Sequence, residues 1–291
     1  MKIIFFIFLI ILLSSCSYQT QNDKDILILN QTIKEQRNEI EKLKNREILK
    51  QKIETIKNNT YKKKENKLKA QIEILKNQNI NNLQEKQDIN FEKEKELDIK
   101  FYSQFPLDIS TGKKYEEPYQ NFCEEASLLN GYYYLIGKEP NLKEYDKDLL
   151  KLKELEDLLF KGGYKHTSLE ETLQLLIAFQ GDNQKVFGEI IENPAIEIIK
   201  ENISKGNPII APGYGKGLSN NLFLGGGPIY HNLLIKGYTE QNFIVNEVGV
   251  SKGDGYNYKI NEIMENIHNF DEKLYPNNFI EGKKEILILY K

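Results

Sequence analysis

The stretch CEEASLLNGYYYL occupies residues 123–135, and it predicts how the C-terminal two thirds of the chain begins to fold. Apolar side chains recur after the cysteine at helical spacing. They are Ala126, Leu128, Leu129, Tyr132, Tyr133 and Leu135. We therefore expect Cys123 in the first turn of a helix, where free backbone N–H groups favour negative charge on sulfur. Glu124 and Glu125 oppose that effect. From the spacing alone, Cys123 is either a nucleophile or a small buried apolar residue.

The cysteine count separates the roles of the two thiols. The chain contains two cysteines, and the other one, Cys16, ends a segment that resembles an export signal. In an exported protein the remaining Cys123 has no internal disulfide partner, so it is a free reactive thiol or forms an intermolecular bridge. A cysteine nucleophile needs an imidazole that accepts its proton and a third group that orients the imidazole.

One of the three histidines in the chain lies where such a base is needed. His166 precedes a helix in a polar loop and is expected at the surface. His268 lies in the helical pattern of residues 263–270 and is expected to pack or to be exposed. His231 follows the glycine-rich segment 225–228 and begins a strand pattern, so the sequence favours His231 as the imidazole.

Two polar residues are candidates for the third group. Asn246 and Glu247 follow His231 by fifteen and sixteen residues, at the end of the next strand pattern. A hairpin brings such positions side by side, so either side chain is expected to hold the imidazole. The resulting order of Cys, His and Asn or Glu is that of papain-like enzymes.

Four separated blocks of sequence resemble a known family. They are FYSQFP at residues 101–106, CEEAS at 123–127, GPIYH through IKGY at 227–238, and FIVNE at 243–247. Together they resemble the papain-like cysteine peptidases of family C thirty-nine, which includes bacteriocin leader peptidases. The resemblance spans about residues 100–291. It implies that Cys123 is the nucleophile and His231 the general base.

The resemblance also implies roles for residues that flank this pair. Glu247 occupies the position where the family usually has Asp, and Asn246 is the alternative; Val248 follows where the family has proline. A glutamine upstream of the cysteine is implied as the oxyanion donor. Gln104 lies in the matching block, and Gln120 is the alternative.

The patterns of residues 98–291 predict one α+β domain with N-terminal helices and a largely antiparallel sheet, the arrangement of a papain-like cysteine peptidase fold. Helices are predicted after Cys123, over Leu149–Phe160, after Ser168 with capping-box spacing to Glu171, and from Pro194. Strands are predicted over residues 208–212, 230–236, 243–246 and 285–290.

The front of the chain predicts a lipid anchor. Residues 1–15 have a positive start, an apolar run and small residues at the end, as in an export signal. Leu13-Ser14-Ser15-Cys16 resembles a bacterial lipobox, after which Cys16 becomes the lipidated N-terminus; an ordinary signal peptide is the alternative. More than one acyl chain gives stable anchoring. We therefore predict a membrane-anchored lipoprotein that faces outside the cytoplasm, with residues 16–24 as a short tether.

Residues 25–97 are predicted to form a helical stalk. Every glycine and proline of the chain lies at or beyond Pro106, which places a boundary near residue 100. Isoleucine and leucine recur in heptad positions, so the long helical region is expected to form a coiled coil and to pair as a parallel homodimer. A continuous helix of this length would reach about 100 Å.

Composition argues against several other functions. The net charge is −3 and the domain has no basic stripe with interleaved aromatics, which argues against a nucleic-acid partner. No HExxH, paired CxxC or acidic calcium loop occurs, so no metal or cofactor is expected. The sequence predicts a cysteine peptidase acting on a peptide or protein substrate. The alternative is a catalytically degenerate binding or spacer module with the same fold.

Overall fold

A computed structural model of the chain describes residues 31–32, 34–59, 62, 92–106, 117–160 and 165–291. Residues 34–59 form helix α1, so this part of the predicted stalk is helical. Outside the described residues lie the signal segment, the lipobox with Cys16, the tether and the rest of the stalk up to residue 91, except for residues 31–32 and 62. Coiled-coil pairing stays a prediction. In the described ranges, no helix has both the length and the hydrophobicity needed to cross a bilayer.

Five α-helices follow in the described part of the domain. They are α2 (Cys123–Ile136), α3 (Leu142–Leu159), α4 (Leu169–Gln180), α5 (Ile196–Ser204) and α6 (Ile260–Asn266). The predicted capping box at the start of α4 is present, because Ser168 Oγ accepts from the Glu171 N–H and Glu171 Oε2 accepts from the Ser168 N–H. Such reciprocal bonds satisfy two N–H groups that have no partner inside the helix.

Three predicted helix boundaries were wrong. Helix α3 begins well before Leu149, because a second capping box starts it at Asn141. Helix α5 begins at Ile196 rather than at Pro194, since its N-cap residue, Ala195, has extended backbone dihedrals. Helix α6 ends at Asn266, so His268 lies beyond it.

The described strands form one antiparallel sheet. They are β1 (Lys95–Glu96), β2 (Phe187–Glu192), β3 (Ile209–Tyr214), β4 (Tyr230–Tyr238), β5 (Asn242–Asn246), β6 (Tyr256–Lys259) and β7 (Glu285–Tyr290). Their order is β2-β7-β3-β4-β5-β6, and β1 pairs with the end of β4. The mixed α+β architecture with an antiparallel sheet is thus as predicted. However, β2 lies between α4 and α5, so the helices do not all precede the strands.

The register between β4 and β5 positions the residues predicted for catalysis. Leu234 pairs with Asn246, so one further step along the register places Glu247 opposite Leu233. His231 lies two residues from Leu233 on the same strand and therefore on the same face of the sheet. Diagonal neighbours of this kind are within reach of long side chains. The hairpin thus brings Glu247 towards His231.

Helix α2 lies close against the middle of the sheet. A methyl group on Gly131 would lie 2.6 Å from Leu289 Cδ1 and 3.4 Å from Leu234 Cδ1, so only a glycine allows this approach without repacking. Leu128 and Leu129, which precede Gly131 on the same helix, are buried. This packing fixes the N-terminus of α2, and with it Cys123, relative to strand β4.

Candidate active site

Cys123 is the first residue of α2 and is 5% exposed. The preceding residue, Phe122, is the N-cap of the helix, and its side chain makes no capping hydrogen bond. The thiol donates a hydrogen bond to Glu124 Oε2, at 2.9 Å. Cys123 thus occupies the helix position predicted for it, and its closest polar side chain is a carboxylate.

His231 and Glu247 form a buried pair. His231 Nε2 contacts Glu247 Oε1, and the two side chains are 4% and 0% exposed. The carboxylate is held by two more donors, because the Gly249 N–H donates to Oε1 at 3.3 Å and the Tyr258 hydroxyl donates to Oε2 at 2.8 Å. A carboxylate held in this way keeps the imidazole in one orientation.

Tyr258 and Asn220 support this pair, and the sequence analysis did not identify them. Asn220 Nδ2 donates to the Tyr258 hydroxyl oxygen at 2.7 Å, which directs the hydroxyl hydrogen towards Glu247. Burial, and then the charge of Glu247, raise the pKa of Tyr258, so its hydroxyl remains a donor. Tyr258 lies on β6, a short strand that carries no strong strand pattern of its own.

Three of the predicted site residues meet around Gly249. A methyl group on Gly249 would lie 2.9 Å from His231 Cε1, 3.5 Å from Gln104 Oε1 and 3.5 Å from Glu247 Oε1. A larger residue would therefore press on the imidazole ring. The lack of a side chain at this position is a requirement of the site.

Asn246, the alternative third residue, lies elsewhere. Its Nδ2 donates to Asn130 Oδ1 at 3.0 Å, and Asn130 also accepts from the Tyr102 N–H and donates to the Tyr102 carbonyl. Successive residues of a strand point to opposite faces, so Asn246 points away from the side chain of Glu247. Of the two candidates, the structure brings Glu247 to His231 and uses Asn246 to join β5 to α2.

Gln104 lies beside the site with its donors already bonded. Its Nε2 donates to the Tyr119 carbonyl at 2.9 Å and to the Gln120 carbonyl at 3.2 Å, and its buried Oε1 has no partner. An amide nitrogen has two hydrogens, so this orientation leaves none for an oxyanion. Gln120 is exposed and also lines the cleft next to Cys123.

A cleft of about 550 Å³ connects these residues to the surface. Its lining includes Gln104, Gln120, Cys123, Lys216, Phe223 and His231. The Phe223 ring meets the His231 ring edge-on, with centroids 5.4 Å apart. Phe223 belongs to a loop that continues through three glycines with positive φ, at residues 225–227. The cleft wall next to the imidazole is thus formed by Phe223, which precedes these glycines.

His166 is not the surface residue predicted from the sequence. Its ring is half-buried between Tyr230 and Tyr275, with centroids 5.2 and 4.9 Å away, and Nδ1 lies 3.9 Å from Glu124 Oε1. Burial lowers the pKa of His166 to about 4. His268 packs as expected, with Nδ1 3.0 Å from the Gly282 carbonyl oxygen. Tertiary packing, rather than local polarity, decides where His166 lies.

The electrostatic setting of Cys123 favours the neutral thiol. Burial, and then the neighbouring carboxylate of Glu124, hold the pKa of Cys123 well above its usual range, while the Asn232 N–H acts in the opposite direction. The site therefore combines a protonated thiol with an oriented imidazole. A reaction at sulfur would require prior transfer of the thiol proton, because the thiolate is the reactive form.

Sequence comparison supports the family suggested by the motifs. Residues 96–275 match the profile of the Peptidase_C39 like family. The chain belongs to this family. The C39-like region begins within β1 and includes Cys123, His231 and Glu247. Membership suggests a peptidase-like function.

Other comparisons add little detail. A crystal structure described as a candidate C39-like peptidase from Bacillus anthracis shares 11% identity, with a TM-score of 0.41, over 69% of this chain and 98% of that chain. No curated protein matches the chain significantly. Among the described residues, no cluster of three His, Cys, Asp or Glu side chains is arranged to hold a metal ion.

Proposed function

We propose that the protein is a cysteine peptidase that hydrolyses peptide bonds through Cys123, His231 and Glu247. The observation that carries this proposal is the buried contact between His231 Nε2 and Glu247 Oε1, at the cleft that Cys123 also lines. In this proposal Cys123 is the nucleophile, His231 the general acid and base, and Glu247 the group that orients the imidazole.

The contact with Glu247 assigns the two imidazole nitrogens. Because the carboxylate accepts from Nε2–H, Nδ1 of His231 is the nitrogen that accepts a proton. The Cys123 thiol gives its proton to Nδ1, and the sulfur attacks the substrate carbonyl carbon. The imidazolium then donates the proton to the leaving amine as the C–N bond breaks. Water hydrolyses the thioester that remains, and the thiol is restored.

Charge that develops on the substrate oxygen needs donors at the start of α2. The backbone N–H of Cys123 lies in the first turn of the helix, so it has no intrahelical carbonyl acceptor four residues earlier. In this proposal Gln104 supplies a second donor once its Nε2 leaves the carbonyls of Tyr119 and Gln120. Substrate binding in the cleft would provide the energy for that change.

Hydrolysis of a defined peptide pool tests the proposal. The full chain, incubated with the pool in the presence of a reductant, should release fragments that mass spectrometry identifies. Cleavage should persist with a metal chelator and stop after treatment with iodoacetamide. Fragments that still form after alkylation of Cys123, or no fragments from any peptide, would contradict the proposed activity.

We also propose that the enzyme acts outside the cytoplasm, tethered by lipid on Cys16 and raised on a parallel coiled-coil stalk. The support is the lipobox-like Leu13-Ser14-Ser15-Cys16 and the heptad pattern that follows it. In cells fed labelled palmitate, Cys16→Ala should remove essentially all label from the protein, because the acyl chains attach at that residue. Equal labelling of the wild type and the variant would contradict the anchor.

A second candidate function is favoured by the resting geometry. The Cys123 thiol donates to Glu124, and both donors of Gln104 are bonded to carbonyls. A binding module with a degenerate peptidase fold would have the same features. Peptides that bind the cleft and are recovered intact after long incubation would favour this function.

A further inference from the structure

Glu124 touches the nucleophile, and the proposed mechanism assigns it no role. Its Oε2 accepts the hydrogen bond from the Cys123 thiol at 2.9 Å, and the residue is 1% exposed. A buried carboxylate in contact with a reacting sulfur atom alters the energy of ionising that sulfur.

The carboxylate of Glu124 is held in place on both oxygens. Oε1 accepts from the Thr167 N–H at 3.1 Å, and His166 Nδ1 lies 3.9 Å from the same oxygen. Oε2 faces the thiol. The contact with sulfur is therefore part of a fixed arrangement that joins α2 to the segment before α4.

We propose that Glu124 is a further residue of the catalytic site, which holds Cys123 as a neutral thiol and limits its reactivity when the carboxylate is charged. This inference rests on the proposed function, since it concerns the same nucleophile. With Glu124 ionised, removal of the thiol proton by His231 would leave two negative charges in contact. With Glu124 protonated, its O–H can instead donate to the thiolate, which stabilises it.

Other ionisable groups interact with this pair or line the same cleft. They are Glu125 on α2, Glu156 on α3, His166 before α4, Tyr230 and His231 on β4, and Tyr275. Burial, and then the charge of Glu125, raise the pKa of Glu124 to about 8. As the pH rises through that value, Glu124 gains its charge and opposes the thiolate more strongly. The restraint on the reactivity of Cys123 therefore grows as the pH rises through the pKa of Glu124.

Alkylation of Cys123 in Glu124→Gln measures this restraint directly. Glutamine has the same shape and can still accept from the Thr167 N–H, but it carries no charge. We expect the variant to make iodoacetamide modification about tenfold faster above about pH 8, where Glu124 is charged in the wild type, and to change the rate less as the pH falls below that value. The rate is followed at the Cys123 peptide by mass spectrometry in the full chain.

Glu125→Gln is the matched control. Glu125 is equally buried on the same helix, but it has no hydrogen bond to the thiol, and its charge acts on Cys123 more weakly than that of Glu124. Above about pH 8, where Glu124 is charged, its removal should change the alkylation rate less than about threefold. Glu124→Ala provides a second test if the glutamine variant folds poorly, and it should accelerate alkylation in the same direction.

The outcomes separate this inference from the proposed activity. Faster alkylation in Glu124→Gln supports the restraint, whether or not any peptide is cleaved. An unchanged or slower rate in folded Glu124→Gln or Glu124→Ala overturns it, even if the wild type is an active peptidase. A slower rate would mean that Glu124 helps to remove the thiol proton.

Discussion

Replacing His231 with alanine is expected to lower kcat/KM for peptide hydrolysis by about a thousandfold. In the proposed mechanism the imidazole accepts the thiol proton and later protonates the leaving amine, and general acid–base catalysis of this kind contributes about 10²–10⁴ in rate. The thiol proton is hard to remove in this site, because burial and Glu124 raise the pKa of Cys123, so the base is expected to contribute strongly to the rate. Steady-state kinetics on a peptide cleaved by the wild type measure the loss.

His268→Ala is the control for the loss of a buried histidine. His268 is 6% exposed, and its Nδ1 bonds to the Gly282 carbonyl outside the cleft. The variant should lose stability, while its kcat/KM at a temperature where it is folded stays within about threefold of the wild type. Comparable activity in His231→Ala and the wild type would exclude His231 as the base.

Glu247→Gln is expected to lower kcat by about a thousandfold while the protein remains folded. The substitution removes the negative charge that stabilises the imidazolium formed when sulfur is deprotonated. It also disturbs the donors around the carboxylate, since an amide nitrogen facing the Tyr258 hydroxyl or the Gly249 N–H has no lone pair to accept with. Kinetics and thermal unfolding are measured on the same samples.

Glu247→Asp gives the conservative comparison. It retains the charge with a shorter reach. We expect Glu247→Asp to be at least about tenfold more active than Glu247→Gln. The negative charge is restored, even though the distance from the shorter carboxylate to the His231 imidazole is not ideal. If Glu247→Gln were as active as the wild type, the carboxylate would have no role in orienting or stabilising the imidazole.

Much of the framework around the site could be predicted from local sequence patterns. The apolar spacing after Cys123 predicts helix α2, and the Ser168–Glu171 spacing predicts the start of α4. Alternating and continuous apolar runs predict β3, β4, β5 and β7. These signals depend on residues near each other in the chain, which is why they can be found without the fold.

The parts that could not be predicted depend on contacts between distant segments. Tyr258 reaches Glu247 only because β6 pairs with β5, and His166 is half-buried only because the aromatic rings of Tyr230 and Tyr275 pack around it. Choosing between Asn246 and Glu247 as the partner of His231 also requires knowing which face of the sheet each side chain points to. A sequence pattern alone leaves both possible, since both follow the same strand.

The contact between Cys123 and Glu124 has a local origin but an unexpected geometry. Adjacent residues on a helix do not normally face each other. Here the side chain of Glu124 is held by the Thr167 N–H, which keeps Oε2 beside the sulfur. The sequence predicts only that the charge opposes thiolate formation, whereas the structure shows that the carboxylate takes the thiol hydrogen bond.

The most direct test of the account is the rate of Cys123 alkylation against pH, measured in the full chain and in His231→Ala. The account predicts that loss of the imidazole slows iodoacetamide modification at least about tenfold near neutral pH and moves the profile to higher pH. Peptide mapping assigns the label to Cys123 rather than Cys16. Superimposable profiles in the two proteins would contradict a working thiol–imidazole pair.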